Sequence, residues 1–349
     1  MHPFNVIRCA AIGMQMSAGF LEGYFIVTDD GCIFEVKGDL HPVDRVIAYL
    51  RYLPSKNGDR CSSGGVRYKK VYSLQEREVS LSEKYPHYLW HDERHGRVLQ
   101  SVPINRIAFV LNPVVCLSQM RDMSTHLDNL QKASLKLASL LVEKAGLSWS
   151  DVGITGSQVV GLALVSSDID LVVYGSRPAR KVFRLLRDRG ESFGIKRYSG
   201  KKLDDHVTFR WGRENAWWQL MKRIEAKKLL QGEFGSYDFF IRNVKLPEER
   251  VYSYEDVSYA NEGIQKIQGK ITDSQDSIFT PCRYRIESTE SPMFRQIVSY
   301  RGKFTEQAEE GMIFEAKGRA ESVRVKGAGE EFMQLVVGED SADYLIPVL

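Results

Sequence analysis

Residues 152–175 read VGITGSQVVGLALVSSDIDLVVYG, and the spacing inside this stretch decides the fold. Ten residues separate Gly156-Ser157 from Asp168-Ile169-Asp170, which leads into the apolar run Leu171-Val172-Val173. A short apolar run of this kind reads as a buried strand. Residues that flank one position on a strand face the same way, about 7 Å apart at Cα, so Asp168 and Asp170 share a face. Two carboxylates so placed repel one another unless cations lie between them. Such a face suits a pair of Mg²⁺ ions roughly 3.5–4 Å apart, as two-metal phosphoryl chemistry requires. Gly156-Ser157 is expected to open the preceding helix, where free N–H groups and the positive dipole end favour an anion. The plainer alternative is a strand that merely begins with solvated acids.

A third carboxylate is needed to complete one metal and to help activate a hydroxyl. Asp238 is the first candidate, because it sits inside the strand-like Tyr237-Asp238-Phe239-Phe240-Ile241, where an acid is costly unless it faces a cation or a partner. Asp204 and Asp205 compete, but GKKLDDH (200–206) reads as a loop.

Outward from this centre, Leu127, Leu130, Leu137 and Leu141 recur at helical spacing, which predicts a helix through Lys144 with Ser124 as N-cap and Gly146 as C-cap. A basic helix is expected over 178–189, a second helix over 213–230, and a strand over 237–244. Towards the N-terminus, Asp29-Asp30-Gly31 between two β-rich runs reads as a hairpin turn. VIAYLRY (46–52) and VRYKKVY (66–72) read as further strands. Residues 250–292 are polar, with ITDSQDSIFTP and ESTESP clusters, and read as a connecting region. Beyond them, short strand-like runs punctuated by Gly suggest a small antiparallel barrel or sandwich. The expected architecture is α+β: an N-terminal α+β domain (1–118), a central α/β domain (119–250), a connecting region (251–292) and a small β-barrel-like module (293–349).

Composition limits the possibilities. The chain has 349 residues, 43% hydrophobic and 27% charged, which excludes a disordered, collagenous or coiled-coil protein. A net charge of +3 is too weak to argue for nucleic acid on its own. Residues 177–202 differ, with ten Lys or Arg against Asp188 and Glu191. Such a patch steers a triphosphate or an RNA backbone, or is simply a solvated helix face. Five scattered cysteines, Cys9 among them, fit reduced thiols rather than a disulfide framework. The opening MHPFNVIRCAAIGMQM is not leader-like, and the longest apolar run is about seven residues, against ~20 for a membrane span. The expectation is a cytoplasmic protein with no membrane partner. Trp211, Trp217 and Trp218 read as core aromatics or as base-stacking rings, and His87, His91 and His95 as a surface cluster or a metal-binding helix face.

The Gly-Ser, ten residues, Asp-Ile-Asp pattern, with a later carboxylate on a second strand, resembles the DNA polymerase β-type nucleotidyltransferase superfamily. Small members carry the same Gly-Ser, a Gly four residues after the Ser (Gly161) and Ser-Asp-x-Asp-Leu (Ser167 to Leu171). The wider chain, including GDLHPVDRVIAYLRY (38–52) and the tail from SYRGKF to DYLIPV, is similar to an uncharacterised archaeal family of predicted nucleotidyltransferases. The resemblance implies a polymerase β-like central domain in which Asp168 and Asp170 bind two Mg²⁺ (or Mn²⁺) ions and Asp238 completes one of them. Gly156 and Ser157 would hold the terminal phosphates of a nucleoside triphosphate, with Arg180 and Lys181 as further nucleotide-binding candidates. An acceptor hydroxyl, on RNA or another molecule, would attack the α-phosphate and release pyrophosphate. One departure stands out: Gln158-Val159-Val160 replaces the basic residue often found after the Gly-Ser, so phosphate charge needs another source of neutralisation. A silent nucleotide- or RNA-binding protein on the same fold is the alternative.

Overall fold

The computed structural model describes residues 19–327 and 329–348. The opening stretch with Cys9 lies outside the described residues, as does the Ser124 side chain. Three β-sheets and seven α-helices make up the described chain.

The first sheet contains β1 (Phe25–Thr28), β2 (Ile33–Val36), β3 (Arg45–Pro54), β4 (Arg60–Cys61), β5 (Arg67–Lys70), β6 (Leu89–Asp92), β7 (Arg97–Pro103) and β8 (Ile107–Leu111), with α1 (Leu74–Lys84) after β5. The expected hairpin is β1–β2: Phe25 faces Glu35 across the ladder, and Gly31 turns at φ +82°. One face buries Ile26, Phe34, Ala48 and Leu50 in a cluster that also takes in Val172, Tyr174 and Val244 of the next sheet. The N-terminal sheet therefore shares a core with the central part. Thr155 Oγ1 donates to the Gly23 carbonyl at 2.7 Å and the Tyr174 hydroxyl to that of Glu22 at 3.2 Å, which fixes the two sheets together.

Two helices, α2 (Pro113–Asp122) and α3 (Asn129–Ala145), lead into the central sheet. Gly146 caps α3 in the left-handed region, as expected. The N-cap is Asp128, not Ser124. Its carboxylate accepts from Gln131 N at 2.8 Å while the Gln131 side chain accepts from Asp128 N, a reciprocal box that starts the helix one turn later. The elements that follow are β9 (Val152–Ile154), α4 (Gly156–Val159), β10 (Ile169–Tyr174), α5 (Ser176–Arg189), β11 (Ile195–Lys196), α6 (Gly200–Trp211), α7 (Trp218–Glu225), β12 (Gln231–Phe234) and β13 (Tyr237–Val244). The strand order is β11-β12-β13-β10-β9, with β10 and β13 parallel. Ile169, Leu171, Val173, Phe239 and Ile241 leave one face of this sheet and pack with Leu137, Leu141, Val182 and Leu186 of α3 and α5. GKKLDDH begins α6 rather than a loop. Its apolar positions, Leu203 and Val207, are one helical turn apart and buried, a signal the surrounding charges hide. The helix expected over 213–230 shortens to α7.

Residues 251–292 are not a connecting region at the level of secondary structure. They hold β14 (Val257–Asp273) and β15 (Cys282–Ser288) of a third sheet, completed by β16 (Phe294–Ser299), β17 (Ile313–Val325), β18 (Glu330–Val336) and β19 (Tyr344–Val348). β14 looks polar because Asn261–Ile264 bulges out exposed, and buried positions alternate only from Ile267 onward. Pairings run β14-β15-β16-β18-β17, and β17 pairs back to β14. Among the described residues no helix is long and apolar enough to cross a membrane.

Candidate active site

The antiparallel pairing of β9 with β10 sets Ile154 opposite Leu171, and Thr155 N donates to the Asp170 carbonyl at 2.9 Å. The next residue, Gly156, turns at φ +68° directly against the Asp170 side chain. A Cβ on Gly156 would overlap Asp170 Oδ2 and come within 2.7 Å of its Cγ. Glycine is required here both by the backbone angle and by the carboxylate.

Ile169 is fully buried on the core face, so Asp168 and Asp170 leave on the other. Asp168 is exposed and Asp170 partly buried. Burial, and then the charge of Asp168, push the Asp170 carboxyl up to about 7, against the pull of Arg242 and Lys70. A carboxylate held this reluctantly in its charged form is a site that gains from a cation.

The parallel register sets Ile169 beside Phe239 and Asp170 beside Phe240, so Asp238 stands one step before Phe239 on the same face as Asp168. Tyr198 connects the two acids: burial, then Asp238, and also Asp168 raise its hydroxyl pKa. Asp238 is exposed and engaged. Lys202 Nζ of α6 lies 2.9 Å from Asp238 Oδ1 and 2.7 Å from Glu233 Oε1. Among the described residues, no three His, Cys, Asp or Glu side chains are grouped closely enough to hold a metal ion. Asp168 and Asp170 offer the hard oxygen donors that Mg²⁺ or Mn²⁺ takes, and their mutual repulsion fits a cation between them. Asp238 is held by Lys202 and does not join them in a three-carboxylate group among the described residues.

The Gly-Ser element differs from its expectation. α4 is a single turn of four residues, too short for a dipole of any size, and Ser157 is 5% exposed. Gln158, the departure from the basic residue often found after the Gly-Ser, is structural: its Nε2 donates to Ser134 Oγ of α3 at 2.8 Å. Arg180 and Lys181 are not brought to Gly156. Both act at the far end of β10, where Arg180 Nη1 donates to the Gln275 carbonyl at 3.1 Å and Lys181 Nζ to that of Gly146, at the end of α3, at 2.7 Å. In the basic run, Arg187 pairs with Asp188 and Arg197 with Glu191. Trp211 donates to the buried Glu225 at 2.9 Å and packs edge-on against Phe304, a core role, whereas Trp217 is 43% exposed. His87, His91 and His95 fall on a 3₁₀ turn, a strand and a hairpin turn, so they share no helix face.

Residues 136–230 match the model of the nucleotidyltransferase domain. That span contains Gly156, Ser157, Asp168 and Asp170, and ends eight residues before Asp238. The resemblance read from the Gly-Ser and Asp-Ile-Asp spacing therefore stands on an independent comparison. The chain is also 27% identical, over 336 residues, to an uncharacterised protein of Methanocaldococcus jannaschii, covering 90% of this chain and 94% of that relative. Similarity to an archaeal protein thus extends across the flanking sheets as well. No solved structure matches the chain.

Proposed function

We propose that this protein is a metal-dependent nucleotidyltransferase that moves a nucleoside monophosphate from a nucleoside triphosphate to a hydroxyl acceptor and releases pyrophosphate. The observation that carries the reading is the Asp170 carboxylate pressed against Gly156 with the Asp168 charge beside it. Asp168 and Asp170 would hold two Mg²⁺ ions, with Mn²⁺ as a substitute. Bound there, the metal neutralises triphosphate charge and lowers the pKa of the attacking hydroxyl.

The chain's own residues do the rest. The absence of a side chain at Gly156 seats the Asp170 carboxylate, and the Gly156-Ser157 backbone would hold the terminal phosphates beside it. Lys202 turns from Asp238 and Glu233 to the incoming phosphates, and the freed Asp238 completes the carboxylate set. The acceptor oxygen then bonds to the α-phosphorus as the bond to the bridging β-oxygen breaks. Its proton passes to the Asp238 carboxylate, and pyrophosphate leaves with the electron pair. We read the flanking sheets, including the ring of pairings in the C-terminal barrel-like module, as holding a large acceptor, with an RNA 3′ end preferred, in a cytoplasmic setting.

One observation favours a second reading, a silent nucleotide- or RNA-binding protein: a lysine occupies the third carboxylate. Incubation with each α-³²P-labelled nucleoside triphosphate, Mg²⁺ or Mn²⁺ and total RNA separates the two. Label transferred by the wild type supports the enzyme, whereas triphosphate binding without transfer supports the silent protein.

A further inference from the structure

Next to Asp170, on the side of the N-terminal sheet, buried positive charge exceeds buried negative charge. Glu22 and Glu35 are 0% and 3% exposed. Lys37 Nζ lies 2.7 Å from Glu22 and 3.1 Å from Glu35, and Arg242 of β13 bonds both carboxylates. Those two cations already balance the two acids. Three arginines remain. Arg51 Nε stands 3.1 Å from Glu35 Oε2, but at an angle that makes no hydrogen bond. Arg77 is 2% exposed and sits 5.8 Å over the Tyr49 ring. Its Nη2 donates to the Tyr72 carbonyl at 3.2 Å, and its Nε has no partner. Arg301, in the loop after β16, is half-buried, and its guanidinium makes no hydrogen bond or ion pair among the described residues. Burial, and then Arg51, hold Arg77 down to about 10, with Arg301 adding to the repulsion. Arg97 and Arg319, by contrast, are matched by Glu339 and Glu321.

The group borders the reaction centre. Gly302, next to Arg301, packs so closely on the Phe240 ring that a Cβ would lie 2.7 Å from its Cζ. Phe240 is the register partner of Asp170. Arg210 stands 5.7 Å over the same ring with its Nη1 buried and unpartnered. Arg51 shares Glu35 with two other cations, and Arg77 and Arg301 have no ion pair among the described residues. The excess positive charge is costly, and an anion removes the cost.

We infer that Arg51 of β3, Arg77 of α1 and Arg301 of the loop after β16 form a binding site for a multiply charged phosphate group beside Asp170. The inference rests on the nucleotidyltransferase reading only for the source of that phosphate, either the triphosphate of the nucleotide or a terminal phosphate of the acceptor. It supplies the neutralisation that Gln158, tied to Ser134, does not. Arg77 is buried and Arg51 and Arg301 are partly so, which suits a compact oligophosphate rather than a long exposed backbone.

Calorimetric titration of the full chain with inorganic tripolyphosphate, without metal, tests the site. The wild type should bind, and Arg301→Gln and Arg51→Gln should each weaken binding by about tenfold or more. Arg301→Lys should restore part of the loss. Arg187→Gln, an exposed arginine on α5, should bind like the wild type, and Asp168→Asn/Asp170→Asn, which removes negative charge beside the phosphate, should bind at least as tightly. Displacement by a nucleoside triphosphate assigns the site to the nucleotide. Displacement only by a 5′-phosphorylated oligonucleotide assigns it to the acceptor. No binding by the wild type, or undiminished binding by both arginine variants, overturns the site. Binding that persists in a protein showing no nucleotidyl transfer sinks the enzymatic reading and leaves the site standing.

Discussion

Gly156 and Asp170 occupy adjoining space: the glycine has no side chain, and the carboxylate of the aspartate fills the volume where one would be. Two features that lie fourteen positions apart in sequence therefore form one object. It is held by the β9–β10 ladder on one side and by Thr155 N on the other. Gly156→Ala should lose about 2–4 kcal/mol of stability, from the positive φ and the overlap together. Pairing it with Asp170→Ala should recover part of that loss, so the two changes are non-additive by about 1 kcal/mol or more. Chemical denaturation of the two single variants and the double variant measures the coupling.

Lys202 holds Asp238 and Glu233 with all three side chains partly exposed. Pairs of this kind contribute about 0–1 kcal/mol, so Lys202→Ala should leave the denaturation midpoint nearly unchanged. The same change frees two carboxylates near Asp168. Mn²⁺ should then bind several-fold more tightly, by about 1 kcal/mol, as one competing cation is removed. Paramagnetic titration with Mn²⁺ reads this directly. Equal affinity in wild type and variant would separate Asp238 from the metal.

Glu306 carries the pH prediction. It adopts φ +54°, accepts from Leu229 N at 2.7 Å and Leu230 N at 3.1 Å, and burial pushes its carboxyl up to about 7. A folded-state pKa above the unfolded value means the native state holds the proton longer. Stability from this group is therefore complete below about pH 4.5 and falls as pH rises towards 7, by roughly 1–3 kcal/mol. In Glu306→Gln the decline should be smaller by that amount. Urea denaturation of both proteins at pH 5 and pH 8 provides the comparison.

Lys228 is 1% exposed and bonds Glu225 Oε1 at 2.9 Å, the Lys303 carbonyl at 2.6 Å and Gln307 Oε1 at 3.2 Å. This ties α7 to the C-terminal sheet. Lys228→Met leaves Glu225, itself fully buried, without its cation, and should cost about 3–5 kcal/mol. His206 and Gln231 also hold Glu225 and retain part of the arrangement. Thermal denaturation should show the loss clearly.

The sequence was readable wherever a local signal coincided with a tertiary one. Gly31 and Gly146 mark real turns, and the alternation around Ile169 correctly separates the core face from the acidic face. Ser124 misled because it is a good cap residue close to a better one, Asp128 with Gln131 three residues on. β14 was missed because its bulged, exposed half has no reason to alternate. The Gly-punctuated tail suggested short strands, but residues 313–325 form one long strand, β17, in which Gly318 lets the chain pass close to the Val336 carbonyl group. At the site, the residue types were legible but not their partners. The charge run left a phosphate-steering patch and a solvated helix face open, and chain direction carries its candidates Arg180 and Lys181 to the other end of β10. Arg51, Arg77 and Arg301 carry no sequence signal, since more than 200 residues separate the first two from the third.

If Asp168 and Asp170 support nucleotidyl transfer, as proposed, their removal should abolish it. The most direct measurement is transfer of α-³²P label from a nucleoside triphosphate to RNA or protein, by wild type and by Asp168→Ala/Asp170→Ala, with Mg²⁺ or Mn²⁺. The wild type should give label transfer and released pyrophosphate, reduced by about 1,000-fold or more in the double variant, roughly 4 kcal/mol of barrier. Equal transfer by both proteins would contradict it. So would the absence of transfer by a wild type that binds triphosphate as tightly as the double variant does.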